Sequence, residues 1–88
     1  MRESQPADII FGNVLRELHL SCVKSQGKLA LDSDLERTFI SMLELGKSSP
    51  TLKSLIALAN GLDTPLSEII KIYEQKFLLD TGATLHLN

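Results

Sequence analysis

The sequence predicts an all-α fold, a five-helix bundle formed by one domain over residues 1–88. Three observations indicate this. Apolar residues recur at intervals of three and four along most of the chain, which is the period of a helix face. Glycine and proline stand between these stripes, and no useful length of strand-like alternation occurs. A chain of 88 residues also suffices for one modest core.

The first two helices are predicted in the N-terminal third of the chain. The first extends from about Pro6 to Cys22, because proline suits the first turn of a helix. Its apolar stripe contains Phe11, Val14, Leu15 and Leu18. The second is short, begins after the favourable N-cap residue Ser25 and ends near Ser33.

The third helix is predicted to open near Glu36 and to end at Gly46, because glycine commonly follows the last turn of a helix. Its buried side is expected to contain Leu35, Phe39, Ile40 and Leu43. The fourth begins after Pro50, with Thr51 as its N-cap, and ends at Gly61. Its inward side is expected to contain Leu52, Leu55, Ile56 and Ala59.

The fifth helix is predicted to follow Thr64 as N-cap, with Pro65 in its first position. Its apolar stripe contains Leu66, Ile69, Ile70, Tyr73 and Phe77. We expect the core of the domain over about residues 7–72 and a C-terminal extension over residues 73–88. The last segment, DTGATLHLN, lacks a helical pattern, so we expect an arm or a short strand there.

The composition excludes several classes of protein. Hydrophobic residues make up 43% and charged residues 23% of the chain, which is typical of a globular protein. There is no apolar run long enough to span a membrane, and the N-terminal MRESQPADII lacks the apolar core of a secretion signal. We therefore expect a cytoplasmic protein with no membrane partner.

The sequence offers little support for an enzyme. The histidines His19 and His86 have no partners at catalytic or metal-binding spacing, and both are expected to be solvated. Cys22 is expected to be a buried or half-buried core residue, the alternative being a redox-sensitive thiol. Gly46-Lys47-Ser48 ends like a nucleotide-binding P-loop, but Ser41 occupies the position of its first glycine. We expect no catalytic residue, no metal site and no cofactor.

A combination of short motifs suggests a family. These are Ser25-Gln26, Leu29-Ala30, RTFIS (37–41), Glu44, Gly46-Lys47, Pro50 and the helix LxxLIALANGL (52–62). Together they resemble the phage-repressor and Cro-like (XRE-type) helix-turn-helix transcriptional regulators, over about residues 11–70. The segment LERTFIS (35–41) is also similar to the small dimeric controller proteins of restriction–modification systems.

The resemblance implies that the third helix enters the major groove of double-stranded DNA and reads base edges. The matching positions are Arg37, Thr38, Ser41 and Met42. Arg37 is the strongest candidate, because its guanidinium matches guanine O6 and N7; the alternative is a solvated arginine paired with Glu36 or Glu44. Thr38 and Ser41 could instead contact phosphates or nothing. Met42 could pack on a thymine methyl group or have no role.

The resemblance also implies contacts to DNA phosphates, which fix position and affinity rather than sequence choice. The expected residues are Ser25, Gln26, Lys47, Ser48, Ser49 and Thr51. The first two lie at the start of the second helix, whose free N–H groups can hold a phosphate. The others belong to the loop GKSSPT (46–51). Gln26 could instead be solvated, and Glu44 is expected to pair internally.

Several positions depart from the family's pattern. They are Val23, Lys24, Gly27, Asp34 and Leu45. Val23 and Asp34 replace turn glycines, although aspartate tolerates the left-handed conformation better than most residues. Gly27 should weaken the second helix by up to about 1 kcal/mol relative to alanine. Leu45, in place of a polar residue, forms an apolar spot with Met42 on the expected DNA side.

The charge distribution leaves two functions open. The net charge is −2, but residues 24–53 carry +1 and the remainder −3. This permits a DNA-binding face with acidic flanks. The first hypothesis is a sequence-specific, dimeric repressor or autoregulator on a palindromic operator. The alternative is a helix-turn-helix domain that contacts another protein, which the acidic balance, Met42 and Leu45 favour.

The C-terminal segment holds more apolar residues than one helix face should bury. The expected homodimer interface consists of Ile72, Tyr73, Phe77 and Leu78. The alternative is that this segment folds back on the core of its own chain, since an apolar patch is only suggestive of a partner.

Overall fold

The computed structural model describes residues 6–83, and within that range the chain is entirely helical apart from its connections. The five helices are α1 (Pro6–Ser21), α2 (Gln26–Ser33), α3 (Arg37–Glu44), α4 (Leu52–Gly61) and α5 (Leu66–Thr81). The all-α, five-helix prediction is therefore confirmed. α1 packs against α3 and α5, and α2 packs against α3 and α4. This arrangement leaves the outer face of α3 open to solvent.

The core lies between these helices and follows the apolar stripes of the sequence. Its fully buried side chains come from four of the helices: Val14, Leu15, Leu29, Ile40, Leu43 and Leu58. Burial of such side chains is the main favourable term in folding, at about 1.5–3 kcal/mol each. The packing of Ile40 and Leu43 fixes which face of α3 points outward.

The predicted inward side of α4 is partly wrong. Leu52 is 68% exposed and Ile56 is 49% exposed, whereas Ala59 is buried as expected. The face of α4 that meets α2 and α5 carries Ser54 and Leu58 instead. Ile56 lies two residues from each of these, and two residues rotate a helix by about 200°, so its side chain points outward.

The end of the chain also differs from the prediction. Asp80 and Thr81 belong to α5, which ends at Gly82 with a left-handed backbone (φ +71°). The N–H of Gly82 donates to Leu78 O at 2.8 Å, and this bond closes the last turn. Residues 84–88 of the expected arm lie outside the described residues. At the other end of α5, the hydroxyl of Thr64 donates to Leu62 O rather than capping the helix.

Among residues 6–83, three non-glycine residues adopt a left-handed backbone, each at a helix end. They are Val23 (φ 56°), Asp34 (φ 55°) and Asp63 (φ 51°). Asp34 ends α2 and keeps the short turn into α3, as expected for aspartate. Val23 occupies the glycine position of a Schellman-type end of α1, in which Lys24 N donates to His19 O. Gly61 does not supply such a conformation; it lies in α4, where a Cβ would overlap the side chain of Ser33.

Candidate nucleic-acid interface

The outer face of α3 carries all four residues that were predicted to contact bases. Arg37, Thr38 and Met42 are exposed and Ser41 is half-buried. Within residues 6–83, Arg37 forms no ion pair, so its expected alternative pairing with Glu36 or Glu44 is absent from the structure. The guanidinium is therefore available to an external acceptor.

A tight turn connects α3 to the loop 46–51. Gly46 has φ +72°, and a Cβ at this position would lie 2.8 Å from Cγ1 of Ile9. Gly46 N donates to Leu43 O and Lys47 N donates to Met42 O, at 3.1 and 2.9 Å. These two bonds form a Schellman-type end. The predicted glycine stop is confirmed, and the turn places Lys47 three residues after the end of α3.

The hydroxyl groups of this loop are used partly inside the protein. Ser49 Oγ donates to Asp8 Oδ1 at 2.7 Å, which ties the loop to α1. Thr51 Oγ1 accepts from Ser54 N at 3.0 Å, and Ser54 Oγ accepts from Thr51 N at 2.8 Å. This capping box holds the first turn of α4. Lys47 is exposed and Ser48 half-buried. The phosphate contacts expected of this loop stay predictions.

Ser25 and Gln26 lie at the start of α2, on the same side of the molecule as the end of α3. Ser25 Oγ accepts from Lys28 N at 3.0 Å, which confirms it as the N-cap. Gln26 Nε2 donates to Glu44 Oε1 at 3.3 Å. Its side chain is therefore held against α3, and the expected solvated alternative for Gln26 is wrong. The phosphate role of both residues stays a prediction.

A buried polar pair joins α1 to α3, and its member His19 was not predicted. His19 was expected in solvent, but it is only 6% exposed. Its Nε2 lies 2.9 Å from Oε2 of Glu44, and its Nδ1 lies 2.8 Å from Lys24 O. These partners explain the burial, because a buried imidazole requires hydrogen bonds. Glu44 pairs internally, as expected.

The His19–Glu44 pair lines an open cleft of about 380 Å³. Polar side chains from three helices surround it: Arg16, His19, Gln26, Arg37, Ser41 and Glu44. Arg16 was not predicted as a site residue, because a single arginine on the outside of α1 carries no sequence signal. The cleft brings it together with Arg37, so two guanidinium groups border one opening beside α3.

The expected apolar spot beside α3 is present. Met42 is 39% exposed and Leu45 is 60% exposed. Leu45 borders the cleft together with Leu20, which is also 60% exposed. This surface can accept either the apolar part of a nucleotide or another protein.

Lys24 lies in the turn after α1, at a position where the helix-turn-helix regulators that the sequence resembles commonly have an apolar residue. Its ammonium group donates to Asp32 Oδ2 at 2.7 Å and to the carbonyl oxygen of Gly61. Lys28 also contacts Asp32, at 3.0 Å. These two lysines hold the pKa of the Asp32 carboxyl below its usual range. The charge of Lys24 is therefore used to join α2 to the end of α4, and not to face DNA.

The predicted dimer residues divide into two groups. Tyr73 packs its ring 6.2 Å from that of Phe11, and its hydroxyl donates to Ala7 O at 3.2 Å. Burial, with a smaller effect of Asp8, raises the pKa of the Tyr73 hydroxyl. Ile72 and Phe77 are half-buried, whereas Leu78 is 48% exposed. Tyr73 thus belongs to the packing of its own chain, while the interface itself stays a prediction.

Two further expectations concern the surface. Cys22 is exposed, so the prediction of a core cysteine is wrong; it follows the last residue of α1 and shares the turn with Val23. None of the helices in residues 6–83 has the length and apolar character needed to cross a membrane.

Comparison with known proteins identifies the family. The sequence model described as "Helix-turn-helix" matches residues 23–69, which contain α2, α3 and α4. The chain belongs to the helix-turn-helix family. Control protein C.MunI of Mycoplasma sp is 36% identical to it over 69 residues, which are 77% of this chain and 93% of that protein.

Solved structures of helix-turn-helix controller proteins have the same architecture. The restriction–modification controller protein C.AhdI from Aeromonas hydrophila is 34% identical, with a TM-score of 0.68 over 70% of this chain and 94% of that one. C.Esp1396I is 26% identical, with a TM-score of 0.79 over 84% of this chain and 97% of that one. The C.Esp1396I structure is a tetramer in complex with its natural 35 base-pair operator.

Proposed function

We propose that this protein is a sequence-specific, double-stranded DNA-binding regulator of transcription without enzymatic activity. It acts as a homodimeric repressor or autoregulator and inserts α3 into the major groove of a palindromic operator. The observation that carries the proposal is the outer face of α3, where Arg37 is exposed and unpaired within the described residues. Support comes from C.Esp1396I, a controller protein solved on its operator DNA.

The residues around α3 fit such a docking. Gln26 and Arg16 border the cleft on one side of the helix, and Lys47 follows its C-terminal turn. On this proposal the outer residues of α3 read bases at the centre and Gln26, Arg16 and Lys47 contact phosphates on both sides, as in helix-turn-helix recognition. The carboxylate within α3, Glu44, has a side chain that is 8% exposed and paired with His19, so it adds little repulsion toward DNA.

One observation favours a second function, contact with another regulatory protein. Leu20, Met42 and Leu45 are exposed beside α3 and together form an apolar surface. Protein interfaces are depleted of charge and enriched in methionine at their centre. The two functions differ in their response to salt, because DNA binding releases counterions and weakens steeply as salt increases.

The test is selection of binding sites from random duplex DNA, with the native chain beside Arg37→Ala and Lys71→Ala. Lys71 is exposed on α5 and controls for the loss of one positive charge. We expect a palindrome for the native chain and for Lys71→Ala. Arg37→Ala should lose preference at one base pair in each half-site, at a cost of about 1–3 kcal/mol. If no sequence is enriched even at low salt, the protein-contact function replaces this proposal.

A further inference from the structure

The hydrogen-bond geometry of His19 fixes how many protons the ring holds. Nδ1 lies 2.8 Å from the carbonyl oxygen of Lys24, which can only accept, so Nδ1 carries a hydrogen. Nε2 lies 2.9 Å from Oε2 of Glu44. A neutral ring would turn a lone pair toward the lone pairs of that carboxylate. A hydrogen bond between Nε2 and Oε2 therefore requires a second proton.

No other partner among the described residues can relieve this contact. Nε2 and Oε2 are both buried, and neither has another hydrogen-bond partner in residues 6–83. Loss of the shared proton leaves two acceptors facing each other at a site that is only 6–8% exposed. An unmade buried hydrogen bond to a charged group is strongly unfavourable. The contact between α1 and α3 thus depends on a proton.

Glu44 transmits this dependence to the surface that we propose binds DNA. It is the last residue of α3, and Ser41 and Arg37 lie one and two turns before it, bordering the same cleft. Its second oxygen, Oε1, accepts from Gln26 at the start of α2. A movement of the Glu44 side chain therefore shifts both the base-facing helix and an expected phosphate-binding residue.

The polar and charged groups around His19 come from three helices and the turn between α1 and α2. Arg16 from α1 and Arg37 from α3 border the cleft, and arginine stays charged across the physiological range. Gln26 from α2 is neutral. The ammonium of Lys24 is directed to Asp32 and the carbonyl oxygen of Gly61. Glu44 is the carboxylate that contacts the ring.

We infer that the His19–Glu44 pair makes operator binding proton-dependent. Binding is tight while the proton lies between Nε2 and Oε2, and it weakens as rising pH removes that proton. This inference rests on the proposed DNA-binding function and adds a regulatory property to it, for which His19 is a positioning residue.

The test measures the dissociation constant for the selected duplex from about pH 5.5 to 8.5. The native chain is compared with His19→Arg, which keeps a fixed positive charge beside Glu44 and has the cleft to accommodate its length. His86→Gln removes the other histidine and serves as the matched control. Between the two ends of this pH range, we expect the native chain and His86→Gln to lose about five- to tenfold more affinity than His19→Arg. This difference lies within the range of typical coupling between sites.

Two further measurements keep the test decisive if His19→Arg folds poorly. Glu44→Gln removes the carboxylate, and its amide can donate to a neutral imidazole, so its affinity should also fall less with rising pH than that of the native chain. Calorimetric titrations in two buffers of different ionisation enthalpy should show proton uptake when the native chain binds DNA, because linkage is reciprocal. A purely structural role of His19 would produce no such uptake.

The outcomes separate this inference from the function on which it rests. Native binding with the same pH profile as His19→Arg, or without proton uptake, would overturn the inference and leave the regulator function intact. Absence of specific duplex binding at every pH, in well-folded proteins, would overturn the proposed function and the inference with it.

Discussion

Gly12 of α1 approaches the backbone of α3 so closely that a Cβ on Gly12 would lie 2.5 Å from the carbonyl oxygen of Leu43. The carbonyl oxygen of Glu44 would be 2.6 Å away. Both obstacles are backbone atoms of α3, so the clash cannot be relieved by a side-chain rotation. The position of α3 relative to α1 therefore depends on the absence of a side chain at residue 12.

Gly12→Ala should consequently destabilise the protein by about 1–3 kcal/mol, the usual cost of overpacking a well-packed core. The matched control is Gly27→Ala in α2, where the nearest atom to an added Cβ is Ser25 Oγ at 3.9 Å. That substitution should stabilise by up to about 1 kcal/mol, because alanine is the better helix former. Urea unfolding at equal protein concentration measures both. A neutral or stabilising Gly12→Ala would contradict the close approach.

Val23→Gly should stabilise the protein. Val23 has φ 56° and is 93% exposed, so a β-branched residue holds a left-handed conformation without compensating burial. The left-handed conformation costs roughly 1–2 kcal/mol for a residue with a Cβ, and the greater chain entropy of glycine offsets part of that. We expect a net gain of about 1 kcal/mol, which raises the Tm of a small domain by about 4–8 °C.

The control for this prediction is Asp34→Gly, at almost the same φ of 55°. Aspartate tolerates this conformation better than valine, so the gain should be smaller. Equal gains at the two positions would show that the β-branched side chain is not the source of the strain.

The sequence predicted the local parts of this structure because local physics determines them. Ser25 and Thr51 were identified as N-caps, and the period of α3 placed Ile40 and Leu43 inside. His19 and Gly12 could not be interpreted in this way, since their roles depend on which helix packs against α1. A histidine on a polar face looks solvated until the carboxylate of a distant helix is known to contact it.

The errors in α4 and α5 have the same origin. In an apolar helix such as α4, more than one face has apolar residues at intervals of three and four. Only the contacts of α4 with α2 and α5 show that Ile56 points outward. Asp80 and Thr81 are weak helix formers, yet Thr81 Oγ1 donates to Phe77 O at 2.7 Å within a helix that is already formed. Elongation of an existing helix is far less costly than nucleation of a new one. A prediction from the residue types at positions 80 and 81 therefore makes α5 too short.

Lys47→Ala should weaken DNA binding without changing the preferred sequence. Lys47 is exposed and has no ion pair in residues 6–83, so it can neutralise a phosphate. Each such contact contributes about 0.9 to the slope of log K against log salt concentration for B-DNA. The slope should fall by that amount per protomer, whereas Lys71→Ala should leave it unchanged. If Lys47→Ala has the same salt slope as the native chain, this lysine does not lie in the DNA interface.

Asp32→Asn should remove a pH-dependent part of the stability. Lys24 and Lys28 hold the pKa of Asp32 below its ordinary value of 3.8 in the folded protein. A lowered folded-state pKa stabilises the fold above the unfolded-state value, and this contribution disappears as pH falls through the folded-state value. Native chain and variant should therefore differ in unfolding free energy above about pH 4 and converge in more acid solution.

Asp63→Asn serves as the control for this measurement, because Asp63 is exposed and has no ion pair among the described residues. At acid pH, the unfolding free energy of Asp63→Asn should change in the same way as that of the native chain. A difference between native chain and Asp32→Asn that persists unchanged at low pH would show that the lysine contacts are not responsible.

The last prediction concerns the surface of α5. Phe77 lies 5.9 Å from the ring of Tyr73 and is half-buried, while Leu78 is 48% exposed and Leu79 is 81% exposed. An apolar row that continues past the packing of its own chain is typical of a protein interface. Phe77→Asp should therefore yield monomers in light scattering, since a charge buried at a dimer contact has no partner.

Because Phe77 also contacts Tyr73, the same substitution in Leu78 separates assembly from folding. Leu78→Asp should give monomers with an unchanged helical content by circular dichroism. The matched control is Leu31→Asp on α2, where a leucine that is 75% exposed should tolerate the charge without loss of the dimer. Dimers that persist in both α5 variants would place the contact elsewhere, and the exposed Leu52 and Ile56 of α4 would be substituted next. A monomer in all three variants would indicate general loss of the fold, which the circular dichroism measurement detects directly.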